Sequence, residues 1–162
     1  MKHTLEFIMN GAAVTRYHTC DLIKPETVGH HSHGVAMLCL LIDPTASRQL
    51  LAAALMHDLA EQRTGDIPSP LKRTLDISKA VADIESNILA AANLDFPVLH
   101  VYEQAVLKLA DIAHGALKCV REINLGNHSM RVVFDNYISY SEELLVNQRG
   151  RDLIDTIKGM VK

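Results

Sequence analysis

The sequence contains no tryptophan, and its three cysteines, Cys20, Cys39 and Cys119, include no CxxC pair. Three thiols so placed supply neither a disulfide framework nor the paired ligands of a zinc ribbon. We therefore expect free thiols and a cytoplasmic protein. A chain of 162 residues is long enough to bury a full core without such cross-links. We predict a single domain over residues 1–162.

Excess positive charge and long apolar runs are also absent. The chain has 16 Lys and Arg against 19 Asp and Glu, for a formal net charge of −3. This balance excludes a broad basic surface for long nucleic acid, although a few clustered cations can still hold a small phosphorylated ligand. No apolar run approaches the roughly 18 residues of a membrane span, and we expect no signal peptide. We predict no membrane and no long nucleic acid as partners.

No segment alternates between apolar and polar residues with a period of two for long enough to indicate a β-sheet. Apolar residues instead recur at helical spacing, and prolines and glycines separate the segments. The pattern predicts an all-α protein, a bundle of about six to seven helices. The predicted helices cover residues 3–10, 28–42, 46–61, 75–92, 98–125, 129–147 and 151–161.

Histidine, by contrast, is abundant, with nine residues. An adjacent pair, His57 and Asp58, ends the predicted helix 46–61, and Glu61 follows it. A carboxylate buried on an apolar helix costs several kcal/mol unless it is paired or coordinated. A divalent cation bound by both members of the pair would provide that partner. The other ligands must then come from elsewhere in the chain.

Two acidic or imidazole side chains on other predicted helices can complete such a site. His31 lies early in helix 28–42, and we expect one of His30, His31 and His33 to be a ligand, because helical neighbours point about 100° apart and all three cannot face the same way. Asp111 lies within the apolar stripe of helix 98–125. With His57 and Asp58, they would offer two nitrogens and two oxygens to one divalent transition metal, Mn, Co, Fe, Ni or Zn.

Simpler interpretations of these residues stay open. His31 can be a capping residue of its helix, and Asp111 can form a salt bridge with Lys108 or Arg121. The remaining histidines are assigned by default to the surface or to contacts behind the ligands: His3, His18, His100, His114 and His128.

Residues 63–70 contain two prolines and a glycine and are predicted to leave the helical conformation. This loop carries Asp66, which we expect close to the metal pair. Loops fixed by rigid elements commonly carry functional residues.

Six segments in this order resemble the HD-domain phosphohydrolases. They are residues 16–17 (RY), 25–32 (PETVGHHS), 57–61 (HDLAE), 64–72 (TGDIPSPLK), 108–111 (KLAD) and 117–119 (LKC). Within that family they are similar to the bacterial 5'-deoxyribonucleotidases and their compact phage relatives, which include dATP triphosphohydrolases. The resemblance spans residues 16 to about 127, and the TGDxPxPxK block after HDxxE is its specific part.

The resemblance implies an HD-type helical bundle and a role for each matching residue. The implied metal ligands are His31, His57, Asp58 and Asp111. The implied catalytic residues are Glu61, Asp66 and Arg16, and the implied substrate-binding residues are Arg16, Tyr17, Pro70, Lys72 and Lys108. Two positions depart from the family: Tyr17 stands where the bacterial enzyme has a tryptophan, which leaves the nucleobase preference open, and His30 replaces an acidic residue.

The resemblance further implies a metal-dependent phosphohydrolase that cleaves the 5' phosphoester of 2'-deoxynucleotides. The substrate is either a dNTP, as in a dATP triphosphohydrolase, or a dNMP, as in a 5'-nucleotidase. Arg73 and Lys24, beside Lys72 and Lys108, are candidates to bind a longer phosphate chain. We also expect a homo-oligomer, a dimer or higher, and the host cytoplasm as location if the protein is viral.

Two other functions remain as alternatives. A hydrolase of cyclic or signalling nucleotides would need additional histidine ligands. A non-catalytic nucleotide-binding module would not need the carboxylates of Glu61 and Asp66.

Overall fold

The computed structural model describes residues 1–144 and 146–162, with the side chains of Ser69, Pro70 and Arg73 outside that description. Within these residues the regular structure is helical apart from one isolated bridge between Thr15 and Thr27, which confirms the all-α prediction. The α-helices are α1 (Lys2–Ala12), α2 (Val28–Ile42), α3 (Arg48–Met56), α4 (Glu61–Thr64), α5 (Ser69–Thr74), α6 (Ser78–Ala91), α7 (Val101–Asn124), α8 (Arg131–Glu142) and α9 (Gln148–Gly159). A 3-10 helix, His128–Met130, precedes α8.

Helix α7 is the central element of the bundle. It packs against α2, α3, α8 and α9. At its start, His100 and Glu103 form a capping box that satisfies free backbone donors of the first turn. The main core lies between these helices and is built from apolar side chains such as Val35, Leu50 and Leu109. No helix of the described residues combines the length and the apolar character needed to span a membrane.

The predicted helix 46–61 is wrong at its C-terminal end. Helix α3 ends at Met56, His57 is its C-cap, and turns separate it from α4. The imidazole of His57 provides the physical reason, because its Nδ1 donates to the carbonyl oxygen of Ala54 at 2.8 Å. A side chain bonded to a carbonyl of the preceding turn competes with the backbone N–H that would continue the helix. Asp58 therefore lies in a turn rather than on a helix.

The predicted loop 63–70 is also wrong in part, because α4 extends to Thr64 and α5 begins at Ser69. Proline is tolerated in the first turn of a helix, where its missing N–H would have no partner. Residues 65–68, including Asp66, remain outside the helices as expected. Other boundaries differ by a few residues, since α6 begins at Ser78 and α8 ends at Glu142.

A buried ion pair on α7 forms hydrogen bonds with the backbone of the connection between α1 and α2. Lys118 Nζ lies 2.7 Å from Glu122 Oε1, and both side chains are buried. Glu122 also accepts from the backbone N–H groups of Ile23, at 2.7 Å, and Lys24, at 3.0 Å, while Lys118 donates to the carbonyl of Lys24. Each charge is thus hydrogen-bonded as well as paired, which a buried pair requires. The connection that carries residues 16 and 17 is held against the central helix.

Candidate active site

The four predicted metal ligands lie together. His31 Nε2, on α2, is 3.2 Å from His57 Nε2, 3.5 Å from Asp58 Oδ2 and 3.3 Å from Asp111 Oδ1 on α7. His57 Nε2 is in turn 3.3 Å from Asp58 Oδ2. Ligand atoms of His31, His57 and Asp58 all lie within 4.8 Å of one another, close enough to share one metal ion. Helices α2 and α7, with the end of α3, therefore bring together residues 80 positions apart in the sequence.

Burial and hydrogen bonding orient these groups toward a common point. His31 has no exposed surface, whereas His30 and His33 are exposed, so His31 is the histidine of that segment that faces the site. His57 Nδ1 donates to Ala54, which leaves the lone pair on Nε2, the nitrogen that faces Asp58.

The two aspartates of the cluster favour the charged form. Burial opposes ionisation of Asp58, yet His57 and Arg16 hold the pKa of its carboxyl below the usual value. Burial also opposes ionisation of Asp111, and its hydrogen bond to His31, together with the nearby Lys108, holds its pKa well below the usual value. Two carboxylates at one point favour the binding of a cation.

Arg16 lies directly beside the cluster. Its Nη1 donates to Asp58 Oδ2, and its Nε lies 3.5 Å from Glu26 Oε2. The guanidinium is buried, and although burial opposes its charge, Asp58 raises its pKa above the ordinary value. Glu26 is a site residue that the sequence did not indicate, because an acid just before a helix is also typical of an ordinary N-terminal turn.

Asp66 joins the site through the segment that follows Arg16. Its Oδ2 accepts from the backbone N–H of Tyr17 at 2.7 Å. Tyr17 has a φ of 56°, a left-handed conformation that is uncommon for a residue with a Cβ and that such a bond helps to hold. Asp66 is therefore close to the site, as expected, through its contact with residue 17. It also lines the same cavity as His57 and Asp58.

The side chain of Tyr17 is fixed by a second tyrosine. The hydroxyl groups of Tyr17 and Tyr137, on α8, lie 2.9 Å apart. The ring of Tyr137 lies against Gly115 of α7, where a Cβ would come within 2.5 Å of its Cζ. The sequence did not indicate Tyr137, since nothing local distinguishes it from other residues of an amphipathic helix.

Glu61 is buried in the wall of the cavity, 4% exposed. Its Oε2 has no hydrogen-bond partner among the described residues. Burial, with the nearby charges of Asp58 and Asp66, raises the pKa of Glu61 to about 9. A buried carboxyl oxygen without a partner indicates a position where a ligand or water binds.

The side chains of the site described above, except those of His31 and Glu26, line one cavity of about 1060 Å³. Lys72 and Lys108 lie on its wall, Lys72 Nζ at 3.9 Å from Glu85 Oε1 and Lys108 Nζ at 3.0 Å from Asp111 Oδ2. The salt bridge foreseen for Asp111 therefore coexists with its contact to His31. Pro70 and Arg73 lie outside the described side chains, and Lys24 lines a different, smaller cavity. The cavity is also lined by apolar and aromatic side chains: Phe96, Leu99, Leu107, Val133, Tyr137 and Leu144.

His114 is a further member of the cluster, assigned by default to the surface or to a contact behind the ligands. Its Nδ1 lies 2.9 Å from His31 Nδ1, on the side of that ring away from Asp58. Burial, and then the neighbouring His31, lowers the pKa of His114 to about 3, so its ring is neutral at physiological pH. Glu26, His31 and His114 form a second group with ligand atoms within 4.8 Å of one another.

Comparison with known sequences gives a family match and several relatives. The family model described as 5'-deoxynucleotidase YfbR-like matches residues 3–148. The dATP triphosphohydrolase of Cyanophage S-2L is 27% identical over 155 residues, 92% of this chain and 82% of the relative. The 5'-deoxynucleotidase YfbR of Salmonella typhi is 27% identical over 143 residues, 74% of this chain and 72% of the relative.

Two solved structures share the fold. One is the Cyanophage S-2L HD phosphohydrolase (DatZ) bound to dA and one catalytic Zn²⁺ ion, with a TM-score of 0.70, 20% identity and coverage of 95% of this chain and 96% of that one. The other is the PH0347 protein from Pyrococcus horikoshii OT3, with a TM-score of 0.75, 19% identity and coverage of 99% of both chains. The expected HD-type helical bundle is confirmed.

Proposed function

The chain belongs to the 5'-deoxynucleotidase YfbR-like family, and we propose that it is a metal-dependent phosphohydrolase that cleaves the 5' phosphoester of 2'-deoxynucleotides. The observation that carries this proposal is the convergence of two histidines and two aspartates beside a buried arginine, at a cavity of about 1060 Å³. The names of the relatives, a dATP triphosphohydrolase and 5'-deoxynucleotidases, support it.

The side chains present suit one divalent transition metal held by His31, His57, Asp58 and Asp111. Both imidazoles direct Nε2 toward the aspartates, and both carboxyl groups favour the charged form. Nitrogen and carboxylate ligands in equal number suit Zn, Co, Mn, Fe or Ni. When bound, such a metal supplies the Lewis acidity that makes water a nucleophile near neutral pH.

Three charged residues around the proposed metal ligands have separate roles in the reaction. Arg16, whose Nη1 donates to Asp58, can neutralise the phosphoryl oxygens as negative charge develops on them. Glu61, with a free carboxyl oxygen in the cavity wall, can exchange a proton with water or with the leaving 5' oxygen. Asp66 holds the segment of Arg16 and Tyr17 and can orient the attacking water.

The length of the phosphate chain is the open choice within this function. A dNTP and a dNMP substrate are cleaved at the same bond, between the 5' oxygen and the α phosphorus, and differ in whether triphosphate or phosphate leaves. The named relatives include both activities. The predicted homo-oligomer, cytoplasmic location and single domain stay predictions.

The test is a metal screen crossed with all four dNMPs and all four dNTPs, with products resolved as phosphate, pyrophosphate or triphosphate. We expect a deoxynucleoside together with either phosphate or triphosphate. Binding of nucleotides without any product would favour a non-catalytic module, and cleavage restricted to cyclic nucleotides would favour the other alternative.

Lys72 and Lys108 provide a prediction about chain length, because both lie on the cavity wall and carry charge that a β or γ phosphate could neutralise. If triphosphate is the leaving group, Lys72→Met and Lys108→Met should lower kcat/KM for dNTPs about tenfold more than for dNMPs, a difference of ~1.4 kcal/mol. Lys79→Met is the matched control, since Lys79 is exposed and pairs with Asp83 on α6. Equal effects on both substrates would favour the monophosphate reaction.

Tyr17 and Arg16 are expected to affect different kinetic constants. If Arg16 holds the phosphate, the adjacent ring of Tyr17 packs on the sugar or base and disfavours a 2'-hydroxyl. Tyr17→Ala should raise KM about tenfold, ~1.4 kcal/mol of binding, and weaken the preference for deoxy over ribonucleotides. Arg16→Ala should instead lower kcat about 10²–10³-fold, as for the loss of one transition-state donor. Steady-state kinetics with dAMP, AMP, dATP and ATP would measure both, and a Tyr17→Ala change confined to kcat would contradict this placement.

A further inference from the structure

We propose that His114 is a positioning residue for His31: it accepts a hydrogen bond from Nδ1–H and so holds the ring with Nε2 turned toward Asp58 and Asp111. This inference rests on the proposed metal centre and extends it to a residue that is not among the implied ligands, catalytic residues or substrate-binding residues. Its support comes from the geometry of His31 and from the packing of His114 on α2.

Two side chains of α7 contact the ring of His31, one at each ring nitrogen. Asp111 and His114 are one turn apart on α7, and they approach His31 Nε2 at 3.3 Å and His31 Nδ1 at 2.9 Å. A histidine that binds a metal through Nε2 carries its proton on Nδ1. That proton needs an acceptor, because His31 has no exposed surface. Among the described side chains, Nδ1 of His114 lies within hydrogen-bond distance of this proton's nitrogen, and the proton of His114 then resides on its Nε2.

A glycine on α2 makes room for this contact. Gly34 follows His31 by one turn, and a Cβ at Gly34 would lie 2.1 Å from both Cδ2 and Nε2 of His114. Any larger residue at this position would therefore force the ring of His114 to move. The close approach of His114 to α2 depends on two positions, 34 and 114, that lie on different helices. Packing thus places the acceptor independently of the hydrogen bond itself.

The identity of the acceptor has a chemical consequence. Histidine ligands usually donate their second N–H to a carboxylate, a backbone carbonyl or water, and such partners commonly account for 10–100-fold in metal affinity. Here the acceptor is a neutral imidazole. The ring centroid of the exposed His30 lies 6.0 Å from that of His114. His114 therefore orients His31 without adding negative charge to the site.

The experiment measures Zn²⁺ affinity rather than activity, by competition with a chelator, in four variants of the full chain. His114→Leu removes the acceptor, and we expect the Zn²⁺ Kd to rise about 10–100-fold. His114→Asn keeps an oxygen near the position of Nδ1 and should recover most of that loss. Gly34→Ala, which displaces the ring, should behave like His114→Leu. His33→Leu, at an exposed position of the same helix, is the control and should bind Zn²⁺ like the wild type.

Two further readouts separate positioning from a general structural role. Thermal unfolding in EDTA should be similar for wild type and His114→Leu, because the proposed effect acts on metal binding. In ¹⁵N-histidine spectra of the Zn²⁺ form, His31 should carry its proton on Nδ1 and His114 on Nε2.

An unchanged Kd in both His114→Leu and Gly34→Ala would overturn the proposal, and Gly34→Ala decides alone if the leucine variant does not fold. Two Zn²⁺ ions per wild-type chain, with one lost in His114→Leu, would also overturn it, because His114 and Glu26 would then be ligands of a second ion. Failure of this inference can be distinguished from failure of the proposed function. If the Zn²⁺ affinities follow the expected pattern but the protein hydrolyses no deoxynucleotide, the proposed function is wrong and the positioning role of His114 stands.

Discussion

The Asp58→Ala protein is expected to lose bound metal and deoxynucleotide hydrolysis together. Asp58 Oδ2 lies 3.3 Å from His57 Nε2 and 3.5 Å from His31 Nε2, so its removal opens the centre of the proposed ligand set. Metal affinity should fall by more than the 10–100-fold that is typical for residues that only orient a ligand. His57→Ala should have the same effect. Metal content by atomic emission and product formation, measured on the same preparation, test this expectation.

Asp58→Ala is also expected to lower the stability of the metal-free protein. Asp58 is an ion-pair partner of Arg16, whose side chain is only 9% exposed. Loss of one partner from a buried pair costs about 3–5 kcal/mol when the remaining charge has no other partner. We expect a smaller loss here, because Arg16 keeps Glu26, whose Oε2 lies 3.5 Å from its Nε. Circular dichroism must therefore confirm that the variant is folded, and Asp58→Asn, which keeps an acceptor for Arg16, separates the two effects.

The matched control for this experiment is Asp83→Ala. Asp83 is an exposed carboxylate on α6, paired with Lys79, and its removal should leave metal content and turnover unchanged. Full activity in a folded, metal-free Asp58→Ala protein would end the proposal of a metal-dependent reaction.

The sequence predicted the fold well because its evidence is local. Helical periodicity and the breaks at proline and glycine depend on neighbours in the chain, and they placed the long helices within a few residues of their observed bounds. The end of α3 was missed because it depends on the side chain of His57, which bonds to the carbonyl of Ala54. Ordinary helix-ending signals, glycine or proline, are absent there.

The candidate site was predictable to a different extent for each residue. His57 and Asp58 stand out because a His–Asp pair ends an apolar run. His31 and Asp111 were candidates because they lie on other apolar helices, and the roles of Arg16, Tyr17 and Lys72 came from the resemblance. Glu26 was missed because an acid before a helix is also typical of an ordinary N-terminal turn. His114 and Tyr137 could not be found in this way, since each becomes part of the site through a contact with a residue far along the chain. The contact of His114 with His31, for example, spans 83 positions. Such partners carry no spacing that a local pattern can show.

Glu61→Gln is expected to keep bound metal and measurable nucleotide affinity while turnover falls by about 10²–10⁴-fold, the usual contribution of general acid–base catalysis. The reason is the position of Glu61, which lines the cavity beside Asp58 and keeps one buried carboxyl oxygen without a hydrogen-bond partner among the described residues. Glutamine preserves shape and hydrogen bonding but cannot exchange a proton. Single-turnover kinetics, with metal content measured in parallel, would distinguish slow chemistry from weak binding.

Asp66 requires a second comparison because its carboxylate also accepts from the backbone N–H of Tyr17. Asp66→Asn keeps an acceptor for that bond, whereas Asp66→Ala removes it. Both variants lose the carboxylate and should lose turnover by orders of magnitude. The alanine variant should in addition raise KM, because the bond to Tyr17 is lost. Glu142→Gln, an exposed carboxylate paired with Lys158, is the control for the loss of one negative charge. If Glu61→Gln or Asp66→Asn lost metal as completely as Asp58→Ala, that residue would have to be a metal ligand. Retention of metal with loss of turnover would instead indicate that both carboxylates act on the attacking water, by orienting it or by transferring its proton.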